Sequence, residues 1–229
     1  MFWLCIPSML SISSAFLLAR KTLFKISNRP SLVKSLSLSM SSMRSLEEFG
    51  RGENTISKYL VADNVPLENG SKMFPRIVKK VHFTNVLPES VPNPYFITAS
   101  KSCAEMLQLD PKELTTDNFV QALSGNILLP GLDTPYATVY GCHCYGQWFG
   151  QLGDGRALSI GEVHTANTEK GKDCHYSEQI YELQLKGCGR SPYSRGFDGR
   201  AVLRSSVREF LGEKLCIFYH YCRSTTSLW

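Results

Sequence analysis

The chain has 229 residues, 43% of them hydrophobic and 20% charged, which is ordinary globular composition and excludes a chain disordered throughout. The net charge of +5 is uneven: residues 1–45 carry six basic side chains (Arg20, Lys21, Lys25, Arg29, Lys34, Arg44) and no acid, whereas residues 46–229 hold nineteen basic and twenty acidic residues. The folded part is therefore close to neutral, which excludes a nucleic-acid role argued from charge. The eight cysteines are too sparse for a disulfide scaffold and read as reduced thiols, and no internal segment reads as a membrane span.

Residues 1–45 contain twelve serines. With interspersed Arg, Lys, Leu and Phe and no acid, they read as an organelle transit peptide. The mitochondrion is the expected destination, with the plastid as the alternative. A secretory signal is less favoured: no basic residue precedes the uncharged stretch Met1–Ala19, and Pro7 and several serines dilute it.

Acids first appear at Glu47, and residues 46–135 read as a helical and loop-rich extension. Pro66, Pro75, Pro88, Pro92 and Pro94 punctuate its middle. A strand is expected over Arg76–Phe83, a helix over Ser100–Leu109, and a second over Thr116–Leu123 capped by Thr116 or Asp117. Residues 124–135 form a Gly/Pro loop. An aromatic, Gly-rich stretch (Tyr136–Gly150) leads into Gly153-Asp-Gly-Arg156, with Trp148 and Phe149 expected in the core. A strand follows over Ala157–Val163, then a polar loop over 164–177. Gln179–Lys186 alternates, with Tyr181, Leu183 and Leu185 on one face and Glu182, Gln184 and Lys186 on the other. After a turn, Arg200–Leu211 reads as a helix with an apolar stripe of Leu203, Val207, Phe210 and Leu211, capped by Asp198 or Gly199.

The order strand, Gly-x-Gly, strand, loop, strand ending in Lys, turn, helix bearing Glu is that of a protein-kinase small lobe. Glycines let backbone N–H groups approach phosphate oxygens without a Cβ in the way. A lysine beside a triphosphate needs a carboxylate to hold its rotamer, and Glu209 is placed to do so. Each part has a plain reading too: Gly153–Gly155 as a hairpin turn, Asp154 as a turn residue, Lys186 as a solvated charge, Asp198–Arg200 as a simple helix-entry turn. Neither a Walker A string nor a Rossmann fingerprint occurs. Cys142, His143, Cys144, Cys174, His175 and Cys188 suggest a zinc site, but the C-x2-C spacing is missing. His143 reads as a structural, hydrogen-bonded histidine.

The strings Phe149–Ala157, Glu182–Arg190, Pro192–Arg195 and Asp198–Leu211 closely resemble the selenoprotein O family. Upstream, Phe74-Pro-Arg76, Asn93-Pro94, Leu123-Ser-Gly125 and His143 fit the same family, so that the resemblance covers roughly residues 63–211. It implies an α+β fold with a kinase-like small lobe over 136–211, an antiparallel sheet with a helix. It implies protein adenylylation, in which AMP passes from ATP to a Ser, Thr or Tyr hydroxyl of a protein substrate, with the nucleotide reversed relative to ordinary kinases. By motif match, Gly153, Gly155 and Arg156 lie in the phosphate-side hairpin, Lys186 contacts the nucleotide, Glu209 is its ion-pair partner, and Asp198 and Gly199 match nucleotide-contacting positions.

After Leu211 the resemblance stops, and residues 212–229 read as a divergent tail. The family's large lobe, with its catalytic Asp and its Mg2+ ligands, is not found in this sequence. Two readings follow: an adenylyltransferase fragment inactive by itself, or a non-catalytic, pseudokinase-like ATP-binding module. The helix of Glu209 would then leave Phe210 and Leu211 poorly buried.

Overall fold

The computed structural model describes residues 16–21, 43–50, 54–166, 178–218 and 225–228. The rest of the leader, residues 167–177 of the loop expected over 164–177, and Cys5, Cys174, His175 and Cys222 lie outside the described residues, whereas residues 164–166 of that loop are strand. In chain order the strands are β1 (Phe16–Lys21), β2 (Glu68–Asn69), β3 (Phe83–Leu87), β4 (Tyr136–Thr138), β5 (Gly141–Cys144), β6 (Gln147–Gln151), β7 (Ala157–Ala166), β8 (Glu178–Lys186) and β9 (Thr225–Leu228). The helices are α1 (Leu46–Phe49), α2 (Thr55–Tyr59), α3 (Lys101–Met106), α4 (Asp117–Leu123) and α5 (Leu203–Phe218). Seven strands form one sheet in the order β2-β3-β4-β7-β8-β1-β9, while β5 and β6 form a separate two-stranded ribbon. Every pairing is antiparallel except β2 with β3. The fold is thus mixed α+β with a mostly antiparallel sheet.

The alternation of β8 is expressed as burial. Tyr181, Leu183 and Leu185 are all buried, and one apolar cluster joins them to Leu158 and Val163 of β7, to Leu107 and Leu109 at the end of α3, and to Phe119 of α4. Each such side chain removed from water is worth about 1.5–3 kcal/mol. The opposite face is not all solvated, since Gln184 is buried as well. Caps set the short helices. Ser100 Oγ accepts from the Cys103 N–H at 3.4 Å, and Thr116 Oγ1 accepts from the Phe119 N–H at 3.2 Å. The buried carboxylate of Glu162 in β7 accepts from the Thr55 N–H at 2.9 Å and from its hydroxyl at 2.5 Å, tying α2 to the sheet.

Three expectations need correction. The strand predicted over Arg76–Phe83 begins only at Phe83. Before it, Lys80 has a positive φ of 57°, and the N–H groups of Arg76 and Val78 donate to the Pro192 carbonyl and to the Gln151 side chain rather than to a ladder. Trp148 and Phe149 are 67% and 60% exposed, not core. They lie on the β5–β6 ribbon, where Trp148 covers Gly141: a Cβ there would come within 1.9 Å of its ring. The ribbon turns at Tyr145-Gly146, whose φ values of 52° and 77° suit a two-residue hairpin loop. Finally, α5 starts at Leu203 and runs on past Leu211. Its stripe is largely uncovered, with Leu203, Val207 and Leu211 all exposed and Phe210 half-buried.

Candidate functional site

Strand pairing brings Lys186 to the Gly153–Arg156 bend. In the β7–β8 ladder Ala157 is the partner of Lys186, and the Gly187 N–H donates to the Arg156 carbonyl at 2.7 Å. From the other side, α5 presents Glu209. Lys186 Nζ donates to Glu209 Oε1 at 2.8 Å and Oε2 at 2.7 Å, and Arg156 Nη2 stands 3.9 Å from Oε1. One carboxylate therefore serves two cations from two elements. The Lys186 and Glu209 side chains are 26% and 30% exposed, so the pair is mostly withdrawn from water, where charge-assisted hydrogen bonds hold better than on an open surface.

The glycines of the bend act first through packing. Gly153 has φ +100°, and a Cβ on it would meet the Tyr193 ring at 2.7 Å and the Thr138 carbonyl at 2.9 Å. At Gly155 a Cβ would lie 2.9 Å from the Tyr193 carbonyl. They let the bend lie against the turn of residues 191–195. Hydroxyls fasten it there: Ser191 Oγ donates to the Asp154 carbonyl at 2.6 Å, and Ser194 Oγ to that of Gly155. Asp154 Oδ2 accepts from the Thr138 N–H and hydroxyl at 3.1 and 2.5 Å, while the Asp154 N–H donates to the Thr138 carbonyl at 2.9 Å. That N–H is spent on the end of β4. Behind it, the Tyr193 hydroxyl meets Thr84 Oγ1 at 2.7 Å, and Thr84 in turn donates to Asp63, the ion-pair partner of Arg76. Burial raises the Tyr193 phenol above its ordinary value.

Asp198 and Gly199 do not cap α5. Asp198 Oδ1 accepts from the Arg200 N–H at 3.0 Å, a turn local to the loop, and the helix begins where Ser205 and Ser206 N–H groups donate to the Val202 carbonyl at 2.9 and 3.1 Å. Gly199 has φ +69°, and a Cβ there would stand 1.9 Å from the Gly189 carbonyl oxygen. Only glycine lets these two backbone segments cross.

A cleft of about 260 Å³ opens beside the bend, lined by Gly155, Arg156, Ser194, Arg195, Phe197, Asp198, Gly199 and Arg200. Of the predicted residues, Gly155, Arg156, Asp198 and Gly199 line it. Lys186 and Glu209 flank it through Arg156, and Gly153 supports the bend. Three arginines against one aspartate make the wall cationic.

Sequence reasoning missed Arg195, Phe197 and Arg200. Arg195 has a positive φ of 52°, unusual for a non-glycine residue, and Gly196 follows at 87°; the Arg-Gly dipeptide was the available signal. Arg200 had none, because its partner is remote. Its guanidinium donates to Glu89 Oε2 and the Glu89 carbonyl, both at 3.2 Å, and to the Ser90 carbonyl at 3.4 Å.

The donor set suits an anionic phosphate chain, which arginine forks and a lysine bind well. It does not fit a metal ion. Among the described residues no three His, Cys, Asp or Glu side chains cluster to hold one, and Glu209 is engaged by Lys186 and Arg156. Of the zinc candidates, Cys142 and Cys144 meet only each other among the described candidate ligands, and Cys188 is buried, its thiol pushed up to about 12 chiefly by desolvation. No helix among the described residues is long and apolar enough to cross a membrane.

Comparison with known proteins bears on this arrangement. A family model described as protein adenylyltransferase SelO matches residues 72–219. The protein nucleotidyltransferase YdiU of Xylella fastidiosa is 52% identical over 129 residues, covering 56% of this chain and 23% of that protein. That of Rhodopirellula baltica is 45% identical over 159 residues, covering 69% and 26%. A third, from Xanthomonas axonopodis pv. citri, is 46% identical over 161 residues, covering 70% and 28%. The chain spans about a quarter of the length of these curated relatives.

Proposed function

The chain belongs to the SelO family of protein adenylyltransferases, and we propose that its residues 136–211 act as the kinase-like small lobe that grips ATP in that family's reaction. The observation that carries this reading is the double hydrogen bond of Lys186 to Glu209 beside a cleft walled by Arg156, Arg195 and Arg200. A lone strand-end lysine spends its charge on water. This one is aimed, and its carboxylate is shared with a cleft arginine.

In this reading Arg156 and Arg195 hold phosphate oxygens by their N–H forks, and Lys186 neutralises charge on the triphosphate. Glu209 positions Lys186 and touches no phosphate. Arg200 is fixed by Glu89, so it contributes field more than a movable contact. Asp198 and Gly199 shape the loop that the nucleotide rests on. The overall reaction would form a bond between a protein Ser, Thr or Tyr hydroxyl oxygen and the α-phosphorus, break the α–β anhydride, and release pyrophosphate. Magnesium, when bound, would supply charge neutralisation at phosphorus; the described residues offer it no ligand set, and no step here passes through it.

We expect the catalytic aspartate in family sequence that would follow Leu211. The 229-residue chain is therefore expected to bind ATP without transferring AMP, the pseudokinase-like behaviour. A chain in which family sequence follows Leu211 is expected to label protein substrates. Incubation of both with ATP labelled in its α-phosphate tests this: transfer by the longer chain that survives Lys186→Ala overturns the site. Residues 1–45 are proposed to direct the chain to the mitochondrion.

A further inference from the structure

Cys142 and Cys144 stand apart from the chemistry above. Residues two apart on a strand share a face, and on β5 this puts the two sulfurs 2.9 Å from each other, within about an ångström of the ~2.05 Å of a formed S–S bond. The pairing of β5 with β6 slips register between Gly141 and His143, beside Cys142. The regular pleat is thus already broken where a closing pair needs freedom. Among the described residues the ribbon pairs with no other strand, and the adjoining turn residue Tyr145 is fully exposed, so little packing opposes local adjustment. Cys144 is exposed and open to small oxidants. The other described free thiols, Cys103 and Cys188, are buried. The hydrogen bond with Cys144 raises the Cys142 thiol, while Arg195 of the cleft wall works in the opposite sense.

We propose that Cys142 and Cys144 are a redox-active dithiol that a peroxide closes to an intrachain disulfide. The exposed Cys144 sulfur attacks one peroxide oxygen, the O–O bond breaks, and a sulfenic acid and water form. Cys142 sulfur then attacks Cys144 sulfur, expelling the sulfenic oxygen as a second water. Two thiols lose two electrons and two protons, and one hydrogen peroxide becomes two waters. The assignment does not depend on ATP binding.

Tryptic digestion isolates the site, because the peptide running from Glu113 to Arg156 contains these two cysteines and no others. The reduced 229-residue protein is treated with hydrogen peroxide, alkylated and mapped by mass spectrometry. Without peroxide this peptide takes two alkyl groups. After peroxide it is expected to take none, to be lighter by two hydrogens, and to regain both sites on reduction. Cys142→Ser removes the resolving thiol and should leave a sulfenic acid on Cys144, captured as a single dimedone adduct. Closure should also be faster in the folded chain than in guanidinium. A cross-link to another peptide, over-oxidation of both sulfurs, two sites that remain alkylatable, or equal rates folded and unfolded would each overturn the proposal.

Discussion

Glu209→Gln removes one negative charge from the junction of β8, α5 and the bend while keeping the side chain's shape. Lys186 Nζ now makes two bonds to the carboxylate, at 2.8 and 2.7 Å, and Arg156 lies 3.9 Å from one oxygen, too far for a hydrogen bond. Exposed ion pairs contribute about 0–1 kcal/mol, and a charged hydrogen bond about 1.5–3. With both side chains about a quarter to a third exposed, and with one amide oxygen still able to accept, the loss is set at about 1 kcal/mol. If that energy positions Lys186 for the triphosphate, it appears as weaker nucleotide binding, about fivefold in Kd. Lys186→Ala deletes the contact itself and should cost about 10- to 150-fold. Isothermal titration of the 229-residue chain with ATP at fixed ionic strength measures both. An ordering in which Glu209→Gln hurts more than Lys186→Ala, or a Kd indifferent to both, would refute the assignment of Glu209 as a positioning residue.

Other outcomes follow from the same structure. Gly199→Ala drives a methyl to 1.9 Å from the Gly189 carbonyl oxygen at φ +69°. The left-handed conformation alone costs about 1–2 kcal/mol, so urea denaturation should show a loss of at least ~2 kcal/mol; a loss under ~0.5 would contradict the crossing described. Stability should fall in alkali. The buried Cys188 thiol is raised from 9.0 to about 12, and burial also raises Tyr136 and Tyr193. The folded state then holds protons that the unfolded chain releases. The contribution of Cys188 is intact below pH 9 and is lost at up to ~1.4 kcal/mol per pH unit between pH 9 and 12. Cys188→Ala, measured by the same urea titrations across pH, should flatten that slope. A fusion of residues 1–45 to a fluorescent protein should reach the mitochondrion; plastid import would replace that destination by its alternative, and secretion would refute the transit-peptide reading.

Local signals made the middle of the fold readable. The period-two pattern of Gln179–Lys186, the Thr116 cap, and the Gly/Pro loop before Tyr136 all act within a few residues, and the structure has them where expected. Failures came where distant backbone decided. Arg76–Val81 carries strand-like residues, but the N–H groups of Arg76 and Val78 are taken by Pro192 and Gln151 far along the chain. Trp148 looked like core because large aromatics usually are, yet its strand joins a separate two-stranded ribbon on which its side chain is exposed. Beside the cleft, Lys186 and Glu209 were readable from the order of elements and from the family strings. Arg200 was not, since its orientation comes from Glu89, over a hundred residues earlier. The glycines were found for one reason and serve another: Gly153 and Gly155 were singled out for phosphate approach, and their contacts show them needed for the passage of Tyr193.

A cationic cleft of this kind should recognise a chain of phosphates, and the most direct measurement compares ATP, ADP, AMP and adenosine for binding to the 229-residue chain by titration calorimetry. Affinity should fall at each lost phosphate, and adenosine should bind far more weakly than ATP. Equal affinity for adenosine and ATP, or no saturable binding of ATP, would contradict it.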